Sequence, residues 1–278
     1  MITAYHRPQT LDEALTLLSQ PNWTPLGGGT LLSHSKPFSF AQDKSDSVEA
    51  VDLQSLSLDF VKKQGNNLEI GATVTLQQLL ESEHCPDMWK SALKLEAPLN
   101  IRNSATVAGT LVACDGRSTF ATILFALDAK LEIKSIDKIE LVEMETETRP
   151  AKQEVAKVGL GEFLPLRLDQ IRGKLITSIT APINVKLAFD YVSRTPADKP
   201  IVCAALAQWN SGRTRLVLGG YGKSPTLAMD GTEAEGVEAA AGNAFHEAAD
   251  EYASAEYRMD VAATLAKRCL DRMNRSRL

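Results

Sequence analysis

Residues 98–129 read PLNIRNSATVAGTLVACDGRSTFATILFALDA, and the reading of this stretch decides the fold. It opens as an irregular polar segment, tightens at Ala108-Gly109-Thr110 and ends in an apolar run. Phe120, Ile123, Leu124 and Leu127 fall at i, i+3, i+4 and i+7, which predicts one face of a helix. Small residues and hydroxyls placed just before a buried helix let a ligand approach the backbone closely. A second such place lies upstream, at Pro25-Leu26-Gly27-Gly28-Gly29-Thr30, where consecutive glycines permit positive φ and let successive N–H groups converge on an anion. A glycine triplet alone reads as a flexible turn. Its setting, between a short strand over 22–26 and an apolar continuation, favours a binding loop paired with the downstream one.

The bulk properties exclude several classes. A chain of 278 residues can bury a large core and favours two domains. Its net charge of −5 argues against a nucleic-acid partner. No window approaches 18 uninterrupted apolar residues, so no membrane insertion is expected, and the N-terminus lacks the layout of a signal peptide. A cytoplasmic location is expected. Cys85, Cys114, Cys203 and Cys269 are far apart with no CxxC pair, which predicts buried free thiols and no metal on this chain. His84-Cys85-Pro86 reads as a helix end, because adjacent residues rarely converge on one ion.

Outward from these loops, Thr10 with Glu13 and Thr75 with Gln78 have capping-box spacing, each opening a helix with an apolar stripe. Residues 33–50 read as a solvated excursion with a short helix. Strands are expected at 51–53, 68–72, 130–136, 139–149, 158–163 and 175–179. A composition shift near Arg172 suggests a domain boundary, with strands at 189–194, 201–207 and 214–219 beyond it. Two helices follow: an alanine- and glutamate-rich one over 232–250, and one over 254–272 with Tyr257, Val261, Leu265 and Cys269 at i+4 steps.

Read in order from Tyr5 to Leu270, these residues resemble the FAD-binding medium subunit of the molybdenum hydroxylases, the group of carbon monoxide dehydrogenase and xanthine dehydrogenase. Gly27-Gly28-Gly29-Thr30-Leu31-Leu32 is similar to that family's AGGTDLL loop, and residues 101–110 to its IRNxATIGGN segment. Residues 124–129 are similar to its LLALDA helix, and Tyr257-Arg258 to the YR of its C-terminal helix. Gly219-Gly220 and Pro225 lie where the family has a glycine pair and a proline.

The resemblance implies an α+β fold: a two-lobed FAD-binding fold of the PCMH/VAO type over 1–171, with lobes of about 1–53 and 54–171. A smaller α+β domain with a three-stranded sheet follows over 172–278. It implies FAD held by Leu26, Gly27, Gly28, Gly29, Thr30 and Leu31 around the pyrophosphate, and by Thr106, Ala108, Gly109 and Thr110 around pyrophosphate and ribose. Ile176 and Tyr191 would approach the isoalloxazine. No residue is assigned as general base or nucleophile. The implied partners are a molybdopterin-containing large subunit and a 2Fe-2S small subunit, with electrons passing through the flavin to a nicotinamide or quinone acceptor.

The departures from the family pattern fall in the second loop. Ala108 replaces a glycine, Thr110 an asparagine, and Thr119 the aspartate near the ribose, while Asp115-Gly116-Arg117-Ser118 replaces a proline-containing turn. Leu31 stands where aspartate is usual in the first loop. Arg117 is the candidate for a compensating phosphate contact. Lost hydrogen bonds and a strained alanine would weaken FAD binding by roughly 30- to 1,000-fold. The alternative is a flavin-less structural subunit of the same fold. A free-standing flavin reductase of the cell-wall UDP-sugar type needs a substrate-reducing acid that the sequence does not offer. A nicotinamide-only Rossmann enzyme is disfavoured because no GxGxxG joins a strand to a helix.

Overall fold

The structure is a computed structural model that describes residues 2–30, 48–136 and 153–275. Leu31, most of the 33–50 excursion and the strand expected at 139–149 lie outside the described residues.

The first lobe comprises β1 (Ile2–His6), α1 (Leu11–Leu18), β2 (Trp23–Leu26) and β3 (Val48–Asp52). The three strands form a parallel sheet in the order β1-β3-β2. Thr10 caps α1 by accepting the Glu13 N–H. The Glu13 carboxylate closes the turn one residue earlier than the capping-box spacing implies, on the N–H of Gln9 at 2.9 Å. Ala14, Leu15 and Leu18 of α1 are buried against Val51, Leu53, Ile136 and Leu175. That small core ties the first lobe to the second.

The second lobe runs β4 (Val61–Gln64), β5 (Asn67–Gly71), α2 (Leu76–Glu81), α3 (Asp87–Glu96), α4 (Leu99–Arg102), α5 (Val107–Ala113) and α6 (Thr119–Ala126). It continues as β6 (Lys130–Ile136), β7 (Gln153–Gly159), α7 (Leu160–Gln170) and β8 (Leu175–Pro182). Its antiparallel sheet has the order β4-β5-β8-β6-β7. The Thr75–Gln78 capping box is complete. His84-Cys85-Pro86 joins α2 to α3. The stretch 158–163, expected as a strand, straddles the end of β7 and the first turn of α7. A short apolar run suits either state by periodicity, and burial of Leu160, Phe163 and Leu164 at helical spacing decides it. β8 lies past the composition shift near Arg172, yet it is hydrogen-bonded between β5 and β6. The shift therefore does not coincide with the end of this sheet.

The remaining residues form β9 (Lys186–Val192), β10 (Val202–Gln208), β11 (Thr214–Gly219), β12 (Thr226–Gly231), α8 (Val237–Ala244) and α9 (Ala255–Arg275). The sheet has four strands in the order β12-β11-β10-β9, one more than expected. The sequence does not signal β12, a half-exposed edge strand that starts directly after Pro225.

α6 explains how the halves join. The sequence predicts one apolar face, but all eight of its residues are buried. One side packs in the core of the second lobe, and the other meets the C-terminal sheet, where Thr122 lies against Cys203 and Gly219. β10 is apolar on both faces for the same reason. Cys203, Ala205 and Ala207 face the main core, whereas Val202, Ala204 and Leu206 face α8 and α9. Among the described residues no helix is long and apolar enough to cross a membrane.

Candidate flavin groove

β2 and β3 are parallel, so their carboxyl ends emerge together and deliver Gly27–Thr30 and Leu53 to one edge of the first lobe. α5 of the second lobe faces that edge. Between them lies an open groove of about 130 Å³, lined by residues 24–30, by Thr106, Ala108, Gly109, Val112 and Ala113, and by Leu175 and Ile176. The two loops singled out from sequence therefore form opposite walls of one cleft.

They also touch. A side-chain carbon on Gly28 would overlap the carbonyl oxygen of Ser104, and one on Gly27 would come within 2.7 Å of Thr106 Oγ1. Glycine is required at 28 because the other loop's backbone occupies the space. Gly29 has φ of +68°, the left-handed region that glycine enters without cost. Among the described residues, neither Gly28 nor Gly29 donates its N–H to a protein acceptor. Both amides are thus available to an anion in the cleft.

The second wall differs from the sequence reading. The bend expected at 108–110 is the first turn of α5, capped by Thr106, whose hydroxyl accepts the Gly109 N–H at 3.2 Å. The N–H groups of Val107 and Ala108 go to the carbonyls of Val74 and Ala72, at 2.8 and 3.3 Å. This wall contributes shape, and its backbone N–H groups at 107–109 are taken. Ala108 has no positive φ, so the strain expected from replacing glycine there is absent. Among the described residues, no side chain lining the groove is charged.

Of the residues predicted from sequence, the structure brings Leu26, Gly27, Gly28, Gly29, Thr30, Thr106, Ala108, Gly109 and Ile176 to this groove. Four others lie elsewhere. The Thr110 hydroxyl turns back onto the Thr106 carbonyl at 2.8 Å. Arg117 donates to the carbonyls of Lys199 and Pro200 and stacks over Tyr252, so its guanidinium is committed to the C-terminal domain. Thr119 is fully buried and donates to the Ala92 carbonyl at 2.7 Å. It also lies 3.2 Å from the Glu96 carboxylate, which accepts Ser118 Oγ and the Phe120 N–H and so caps α6. Tyr191 stacks on Phe189 in the C-terminal sheet, with ring centres 6.0 Å apart.

Sequence reasoning missed two residues that shape the groove. Arg167 donates to the carbonyls of Val112, Cys114, Leu164 and Lys223, which fixes the end of α5. Gln54 donates from Nε2 to the Gly27 carbonyl at 3.3 Å. Neither belongs to a recognisable motif. All four cysteines are buried and free. Burial pushes the thiol of Cys114, next to the groove wall, up to about 12 and keeps it neutral. Among the described residues no three His, Cys, Asp or Glu side chains converge as a metal site.

Residues 1–183 match the family described as "FAD binding domain in molybdopterin dehydrogenase". The chain belongs to that family. It is built on the flavin-binding part of an oxidoreductase. It is similar to the uncharacterized protein YgfM of Escherichia coli K12, at 28% identity covering 89% of this chain and 84% of that one. It is also similar to the glyceraldehyde dehydrogenase medium chain of Sulfolobus acidocaldarius, at 25% identity covering 82% and 78%. The fold matches a chain of quinoline 2-oxidoreductase from Pseudomonas putida 86 with a TM-score of 0.74, at 21% identity covering 97% and 95%. The groove fits the family's cofactor. Gly27, Gly28, Gly29 and Gly109 project no side chain into it, and the Gly28 and Gly29 amides suit a diphosphate.

Proposed function

We propose that the chain is the FAD-carrying subunit of a molybdenum hydroxylase-type complex. The observation that carries this reading is the single cleft walled by both loops, with two glycine amides on one side that have no partner among the described residues. Gly28 and Gly29 would hold the pyrophosphate through their N–H groups. Thr106, Ala108 and Gly109 would shape the opposite wall, and the apolar Leu53, Leu175 and Ile176 would shelter a ring system. The bound flavin supplies the redox chemistry, and the protein positions it and limits water access.

On this reading the chain receives electrons from a 2Fe-2S subunit, itself reduced by a molybdopterin subunit, and releases them to a diffusible acceptor in the cytoplasm. Similarity to a chain named as the medium chain of a dehydrogenase supports a multi-subunit setting. We place the division between the FAD-binding part and the C-terminal domain after β8, near residue 183, where the family match also ends. Thr110, Arg117, Thr119 and Tyr191 then act through the fold, with no contact to the cofactor.

The test is a titration of the purified protein with FAD, followed by flavin absorbance and fluorescence. Saturation at one FAD per chain is expected. Failure to saturate at roughly tens of micromolar FAD, equivalent to a binding free energy weaker than about −6 kcal/mol, would favour the flavin-less structural subunit instead.

A further inference from the structure

We propose that Gln54 is a positioning residue that presets the Gly28 N–H as a phosphate donor, an inference that rests on the FAD reading of the groove. The Gln54 carboxamide donates to the Gly27 carbonyl at 3.3 Å. The peptide between Gly27 and Gly28 is planar and trans, so its C=O and N–H point in opposite directions. Holding the carbonyl against Gln54 turns the Gly28 N–H away from Gln54, and that N–H has no partner among the described residues. A glycine flanked by glycines has little intrinsic preference for one peptide orientation, so an outside group must choose it.

Gln54 is itself held. Its backbone N–H goes to Asp52 Oδ1 at 2.9 Å, and the other oxygen of Asp52 accepts the Tyr5 hydroxyl. Arg7 Nε stands 3.6 Å from the same carboxylate. Asp52 is buried at the carboxyl end of β3, beside the Leu53 N–H that binds the Leu26 carbonyl at 3.1 Å. The brace therefore runs from the edge of β1, through β3, into the glycine loop. Gln54 is exposed, so replacing it leaves the core untouched.

The experiment compares the full-length protein with Gln54→Ala, each labelled with ¹⁵N-glycine. FAD affinity is measured by titration, and the amide resonances of Gly28 and Gly29 are followed with and without saturating FAD. Loss of one modest hydrogen bond predicts a Kd raised about 3-fold. The melting temperature of the FAD-free protein should stay within about 1 °C. The FAD-induced shift of the Gly28 amide should shrink, while that of Gly29, whose peptide plane Gln54 does not hold, is retained. An unchanged Kd overturns the proposal, as does an unchanged Gly28 shift. If the wild-type chain shows no FAD-induced shift at either glycine, the cofactor reading itself fails, and this inference fails with it.

Discussion

Replacing Gly28 by alanine tests the clasp between the two loops. The added carbon would overlap the Ser104 carbonyl oxygen, and even the tightest tolerated approach, 3.0 Å, requires the walls to part by more than an ångström. The obstacle is backbone, so no rotamer relieves it. Such a displacement misaligns the Gly28 and Gly29 N–H groups with respect to a bound diphosphate. A hydrogen bond to a charged group contributes about 1.5–3 kcal/mol. Losing both costs about 3–6 kcal/mol, which raises the Kd for FAD by roughly 10²- to 10⁴-fold. Two glycines calibrate the effect. Gly27→Ala would meet a hydroxyl, Thr106 Oγ1, at 2.7 Å, and that side chain can rotate at the expense of the α5 cap. Gly65, in the β4–β5 turn, has φ of +58° and nothing within 4 Å, so its alanine variant suffers backbone strain alone, about 1–2 kcal/mol of stability. The predicted order of FAD affinity is wild type and Gly65→Ala together, then Gly27→Ala, then Gly28→Ala. Isothermal titration, with thermal unfolding of each FAD-free variant as a control, measures it. A folded Gly28→Ala protein that binds FAD within threefold of wild type refutes the reasoning.

Three further predictions concern residues outside the groove. Thr119→Asp restores the residue usual in the family, yet it sets a second carboxylate against Glu96 in the core, so thermal unfolding should show a loss of about 3 kcal/mol or more and no gain in FAD affinity. Arg258 is fully buried and donates to the Ala248 and Ala253 carbonyls and to Asp250, so Arg258→Ala should cost about 3–5 kcal/mol in chemical denaturation. The Arg213 hydrogen bond holds the Asp230 carboxyl below the usual carboxylate range. Because the folded value is the lower one, Asp230 stabilises the protein above the unfolded carboxylate pKa of about 3.9 and loses that contribution as pH falls through the folded value. The stability gap between wild type and Asp230→Asn, followed by denaturant titration, should be constant near neutral pH and should close in that acidic window.

Much of this fold is written locally in the chain. The helix starts at Thr10 and Thr75 are visible because a cap is a contact between residues three apart. The doubly apolar run of β10 likewise reports burial on both faces. What was hidden depends on partners distant in sequence. α5 holds only seven residues, includes Gly109, and is fixed by the carbonyls of Ala72 and Val74, so its helicity is not encoded in its own periodicity. Leu265 and Cys269 of the stripe expected in α9 are buried, but at the start of the helix Arg258 faces the core and Tyr257 stays 44% exposed. A pattern that counts apolar residues cannot register a buried arginine satisfied by carbonyls. The groove shows the same division. Its glycines were legible because only glycine fits there, whereas Gln54 and Arg167 act through backbone carbonyls that any residue could offer. Arg117 and Thr119 appeared available in sequence, but Pro200 and Glu96 claim them in the fold.

The most direct measurement is an experimental structure of the chain with FAD added. The account predicts the pyrophosphate within hydrogen-bonding distance of the Gly28 and Gly29 nitrogens, with Thr106 and Gly109 on the opposite wall. Cofactor bound at any other place, with the groove between these loops unchanged and vacant, would contradict it.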